Sequence, residues 1–179
     1  MPSIFAISDT WFNRLLVDDP NENVVDNNEH IIQNWNETVK KGDIVYVLGG
    51  FGIGDIYHIL VRLNGEIHFL DNYFNDDEIM FMNDMKDAVE KSSDIDMKNR
   101  IIFESNQVAV LKDYDAFLSY FPLEEWPGKP TGTYCFHGLD TSMNLPEHNI
   151  TCVSRYWNHT PVNISDVKDN IETFEERAQ

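Results

Sequence analysis

Gly42-Asp43-Ile44-Val45-Tyr46-Val47-Leu48-Gly49-Gly50 is the stretch on which the fold class turns: an uninterrupted run of apolar, largely β-branched residues opens after a turn and stops at paired glycines. A run that is continuous rather than alternating marks a strand covered on both faces, as in a parallel sheet. Upstream, Ile4-Phe5-Ala6-Ile7 reads the same way and ends at Ser8-Asp9. Downstream, Glu66 to Leu70 gives a third strand. Between the first two, Ile31, Ile32, Trp35 and Val39 fall on one helical face, with Asn27 and Asn28 offered as N-caps; between the last two, Ile56, Ile59, Leu60 and Leu63 recur at helical spacing until Asn64-Gly65. Strand, helix, strand, helix, strand predicts an α/β fold with a mostly parallel sheet.

Residues 71 to 96 carry nine acids against two lysines, and Ile79, Met82, Met85 or Lys86, and Val89 give them a narrow apolar stripe. That pattern predicts an acidic amphipathic helix. The later half predicts strands at Arg100 to Glu104, Gln107 to Leu111, Ala116 to Tyr120, Thr133 to Phe136 and Ile150 to Ser154, with a Pro/Gly loop at 127–132 and a last helix capped by Ser165. No repeat or linker interrupts the chain, so residues 1–179 read as one domain with an acidic helical insertion around 75–98.

Thirteen Lys and Arg against thirty-one Asp and Glu leave a formal charge of −18. A field of that sign repels nucleic-acid phosphates and anionic membranes, so neither is expected as a direct partner. No stretch has the length and apolarity of a membrane span and the amino terminus has no signal-peptide pattern, which predicts a cytoplasmic protein. Cys135 and Cys152 lie in apolar segments without metal-knuckle spacing and read as small core residues.

The strand ends, taken in order, are Ser8-Asp9-Thr10-Trp11-Phe12, Leu48-Gly49-Gly50-Phe51-Gly52, Leu70-Asp71-Asn72-Tyr73-Phe74, Ser119-Tyr120-Phe121-Pro122-Leu123 and Phe136-His137-Gly138-Leu139-Asp140-Thr141. This series, with the linking text Ile31-Ile32-Gln33-Asn34-Trp35-Asn36, Arg62-Leu63-Asn64-Gly65 and Trp157-Asn158-His159-Thr160-Pro161-Val162, resembles the calcineurin-like metallophosphoesterase family, especially its small single-domain members of phage and bacterial type. The resemblance implies a sandwich of two mixed β-sheets flanked by α-helices. It also implies a two-metal centre in which oxygen and imidazole ligands hold both ions and clamp a phosphoester.

Set against the family motifs, the ligand positions are largely replaced. Asp9 and Asn72 stand as relic metal positions. Trp11, Tyr73, Tyr120, Leu139 and Thr141 occupy positions where the family has histidines, Gly50 stands for the bridging Asp, and Phe74 for the acid after the catalytic His. The reading that follows is a pseudoenzyme: no catalytic residue, no resident metal, and an expected fold in which the large rings fill the vacated centre. His137, with Asp140, offers a shifted register for one ion, although a strand-end histidine bonded to backbone explains it as simply. His30, His58, His68, His148 and His159 show no ligand spacing.

Function is then expected in binding. Asp76, Asp77, Glu78, Asp84, Asp87 and Glu90, with Trp11 and Tyr73, are the residues offered to a protein partner, one with a basic or nucleic-acid-binding surface. For a viral source this predicts an inhibitor of a host enzyme in the host cytoplasm. Two alternatives stay open. One is a weak phosphodiesterase or phosphatase that uses a single divalent ion such as manganese. The other is a nucleotide sensor in the former substrate cleft, with Arg14, Arg62 and Arg155 as the available cations.

Overall fold

The computed structural model describes residues 2–14, 24–72, 76–139 and 145–169. A five-stranded sheet has the order β4-β3-β2-β1-β9, built from β1 (Ile4–Ile7), β2 (Ile44–Val47), β3 (Glu66–Phe69), β4 (Ile101–Phe103) and β9 (Val162–Asn163). The first four run parallel, in the register Ile4↔Ile44↔Glu66, and β9 closes the edge antiparallel to β1. A second sheet of order β5-β6-β7-β8 comprises β5 (Val108–Leu111), β6 (Ala116–Ser119), β7 (Tyr134–His137) and β8 (Asn149–Thr151), parallel except for β5.

Alternation along the strands sorts the core into two layers. Phe5, Ile7, Val45, Val47, Ile67 and Phe69 face the helices α1 (Val24–Thr38), α2 (Tyr57–Leu60), α3 (Asp76–Lys91) and α4 (Ile95–Arg100), meeting Ile31, Trp35, Ile59, Met85 and Met97. Ile4 and Ala6 face the other way and pack on Leu118, Phe136, Ile150 and Cys152 of the second sheet, joined by Ile164 and Val167 of α5 (Ile164–Asp169). The molecule is therefore two mixed sheets face to face with helices on the outer face of the larger. Among the described residues no helix is long and apolar enough to cross a membrane.

Several local expectations change. Asn27 and Asn28 lie inside α1 and are buried rather than capping it. The Asn28 amide instead donates to Asn13 Oδ1 at 2.8 Å while its own oxygen accepts from the Asn13 N–H. The acidic span holds two helices, because the Asp94 carboxylate accepts from the N–H groups of Asp96 and Met97 and starts α4 anew. That is an N-cap, and it leaves Arg100 in α4 rather than in β4. Phe81 takes the buried place predicted for Ile79, which is 44% exposed. Phe81, Met82, Met85, Val89 and Met97 make both helices part of the main core. α5 is capped by Asn163, whose side chain accepts from the N–H groups of Ser165 and Asp166, and Ser165 is not the cap. The apolar stripe over Ile56–Leu63 yields only one helical turn, and β9 is too short to show in the sequence.

Candidate functional site

The two sheets meet where β1, β2, β6, β7 and β8 end. After Ile7 the chain hydrogen-bonds in two directions. Ser8 N–H donates to Cys152 C=O at 2.9 Å, Ser154 N–H donates to Ser8 C=O, and the Ser8 hydroxyl donates to Gly138 C=O. On the other side the loop 9–12 runs along 49–52: Asp9 N–H to Gly49 C=O, Trp11 N–H to Gly50 C=O and Phe12 N–H to Phe51 C=O, all between 2.9 and 3.1 Å. Asp9, Trp11 and Asn13 all take positive φ, of 54°, 47° and 64°. Left-handed backbone at a bulky residue such as Trp11 is held only by surroundings that over-determine it.

Asp9 sits in this seam. Its Oδ1 is buried without a hydrogen-bond partner. Burial pushes its carboxyl up to about 7, against the opposing charge of Arg155 and with the Glu78 charge adding to the rise. Gly50, at φ +59°, lies so close that a Cβ there would stand 2.1 Å from Asp9 Oδ1 and 3.0 Å from Asp9 Cα. Gly49 is covered in the same way by Tyr120, whose ring carbons lie 2.6 and 2.7 Å from where a Cβ would be. Burial, with the Asp9 charge next in weight, pushes the Tyr120 phenol up to about 12.

Asn72, 4% exposed, donates through its amide to Leu48 C=O at 2.9 Å and to Gln107 C=O at 3.0 Å. It thus ties the end of β2 to the start of β5. Asn72→Ala orphans two carbonyls and is expected to cost about 2 kcal/mol in urea unfolding; a loss within error of zero would show that water replaces the amide. His137, 3% exposed, donates from Nδ1 to Leu139 C=O, and burial pulls its ring down to about 4. A neutral, backbone-bonded ring at a strand end is its simplest account. Tyr73, Phe74, Asp140 and Thr141 lie outside the described residues.

Among the described residues the donors do not fit two divalent ions. Such ions sit ~3.5–4 Å apart and share a bridging ligand. Here Gly50 is pressed on Asp9, Tyr120 lies over Gly49, and the cavity between Trp11, Gly50, Phe51, Phe69, Asn72 and Met82 measures about 20 Å³. That is room for a single water. Among the described residues no group of three or more His, Cys, Asp and Glu is placed to hold a metal ion.

The rings do not act alike. Tyr120 packs its ring over Gly49. Trp11, half-buried, lines that small cavity and also borders α3, with the Arg14 guanidinium carbon 5.0 Å from its ring centroid. The structure brings Trp11 together with Asp77 and Glu78. It does not bring the remaining acids there: Asp84 lines a separate groove with Asp55 and Tyr57, Asp87 pairs with Lys91 at 2.7 Å, and Asp76 and Glu90 are exposed on α3. Of the cations, Arg62 is held by Glu29 on the helical layer and Arg155 stacks on Tyr156.

Two features escaped the sequence. His30 and His159, far apart in the chain, place their rings 5.9 Å apart, and His68 bonds both Glu66 and Glu104 at 2.8 and 2.7 Å. The first contact depends on consecutive left-handed residues at Asn158 and His159, which no local pattern announces. The second follows from strand register: His68 pairs with Ile102, so Glu66 and Glu104 share its face of the sheet.

No family model matches the sequence. An uncharacterised protein of Methanocaldococcus jannaschii is 38% identical over 79 residues, which is 39% of this chain and 45% of that protein. The chain thus spans less than half the length of the curated relative it matches. The crystal structure of a protein of unknown function from Aquifex aeolicus covers 94% of this chain and 99% of its own, with a TM-score of 0.56 at 17% identity. That likeness is one of fold alone.

Proposed function

We propose that this chain is a metallophosphoesterase-like scaffold that performs no two-metal chemistry and acts by binding a protein partner through the acidic face of α3 beside the closed strand ends. The observation that carries this reading is the contact of Gly50 with Asp9. Where the resembling family places a bridging carboxylate, a Cβ would stand 2.1 Å from Asp9 Oδ1. Tyr120 over Gly49 and the engagement of Asn72 with two backbone carbonyls support it. The exposed acids of α3 supply a field that steers a basic surface toward the molecule, and binding driven in that way weakens steeply with salt.

A single-ion phosphodiesterase is the second reading, and one observation favours it: the buried Asp9 Oδ1 without a partner. One experiment separates the two. Purified protein is equilibrated with manganese, its metal content measured after gel filtration, and hydrolysis of bis(p-nitrophenyl) phosphate followed in parallel. Sub-stoichiometric metal and a rate equal to buffer are expected. Stoichiometric manganese with turnover that disappears in Asp9→Ala would establish the enzyme instead.

A further inference from the structure

Beside the closed centre lies a second cavity, of about 180 Å³, walled by Trp11, Arg14, Ile53, Phe81, Asp77 and Glu78. It is smaller than the ~300–1,000 Å³ of pockets for drug-sized ligands, which disfavours a nucleotide and suits one long side chain. Its walls combine an aromatic face, a partly exposed isoleucine and two carboxylates from the first turn of α3. The molecule already demonstrates which group suits that ring, since Arg14 places its own guanidinium over Trp11 at cation–π distance. Among the described residues neither Arg14 nor Asp77 has an ion-pair partner, so the pocket holds a guanidinium without a carboxylate and a carboxylate without a cation.

We infer that this pocket receives an arginine side chain of the protein partner, which stacks on Trp11 and pairs with Asp77, and that Arg14, a wall of the pocket, yields its place over the Trp11 ring to it. The inference rests on the protein-binding reading above and gives it a point of contact. Arginine is favoured over lysine because a planar guanidinium both stacks on an indole and forks onto a carboxylate. The displacement of Arg14 gives the proposal a sign that simple charge attraction lacks. Removing a cation from the pocket strengthens binding more than removing one from elsewhere.

The probe is a fluorescein-labelled penta-arginine peptide, titrated into the intact protein at fixed moderate salt, with penta-lysine beside it. Expected are tighter binding of the arginine peptide, about tenfold weaker binding by Trp11→Ala and by Asp77→Asn, and binding strengthened several-fold by Arg14→Ala but not by Lys41→Ala, which changes the charge equally at an exposed site. Heteronuclear spectra add a direct readout. The indole N–H groups of Trp35, Trp126 and Trp157 donate to Asn64, Thr133 and Thr151 carbonyls, so the resonance lost in Trp11→Phe is the one expected to shift with peptide. Arginine-peptide binding that is equal in all four variants would overturn the pocket while sparing the acidic-surface reading. Absence of binding to the wild-type protein would overturn the pocket as well, and the manganese experiment would judge inactivity separately.

Discussion

Asp9→Asn is expected to stabilise the protein by roughly 2–3 kcal/mol at pH 8 and to change it little at pH 4. The carboxyl is held up to about 7 in the folded protein, chiefly by burial, against an ordinary value of 3.8. Between those values the folded state binds the proton and the unfolded chain releases it. The stability contributed by the protonated form is therefore full below about 4 and is lost as pH rises through 7. The magnitude is set below the full linkage value because Asp9 keeps some contact with solvent. Asparagine has the same shape, carries no charge and tolerates the left-handed backbone at φ 54°, so it removes the ionisation without disturbing the turn. Urea unfolding of both proteins at the two pH values measures the effect. A difference in stability that is the same at pH 4 and pH 8 would show that Asp9 ionises freely, and the seam would then be wetter than its packing implies.

The strands of this fold are legible because a run of apolar residues, as in Ile4–Ile7 and Ile44–Val47, or a strict alternation of polar and apolar residues, as in Glu66–Phe69, marks extended chain. Helix ends were less legible because capping depends on which polar group finds an N–H. Asn27 and Asn28 have the composition of a cap, yet Asn28 is taken by Asn13, a loop residue whose left-handed backbone the sequence does not announce. Asp94 could have been found: Ser92-Ser93-Asp94 before Ile95 is a helix-start signal that the longer acidic pattern obscured. At the candidate site the positions themselves were readable from strand ends. Their consequences were not, because the approach of Tyr120 to Gly49 and of Trp11 to Asp77 joins distant segments through sheet packing. Trp11 shows the limit of reading residue type alone, since its ring lines both the small central cavity and the larger pocket beside it, a placement set by the fold and not by the residue.

Gly50→Asp, which places a second carboxylate against Asp9, is expected to destabilise the protein by about 3–5 kcal/mol and to confer no tight manganese binding. The backbone conformation is the smaller part of the cost, because aspartate enters the left-handed region more readily than most residues. Sterics dominate. The new Cβ meets the Asp9 carboxylate at 2.1 Å and its Cα at 3.0 Å, and the Cα is not the movable end of a flexible side chain. Nor can the Asp9 loop step back, since Asp9 N–H and Trp11 N–H donate to Gly49 and Gly50 carbonyls and the Ser154 hydroxyl donates to Asp9 C=O at 2.7 Å. A second carboxylate beside the first adds like-charge repulsion in a buried seam. For a chain of this size the loss corresponds to a fall in Tm of about 10 °C, and Gly50→Ala, which has the Cβ without the charge, should show most of it. The decisive comparison is thermal unfolding of Gly50→Asp with and without millimolar manganese. An unchanged, lowered Tm is the expected result. Recovery of Tm in manganese by the aspartate variant but not by the alanine variant would mean that the seam opens to a cation once two carboxylates face it, and the closed centre would then be a consequence of the missing ligand rather than a packing that excludes it.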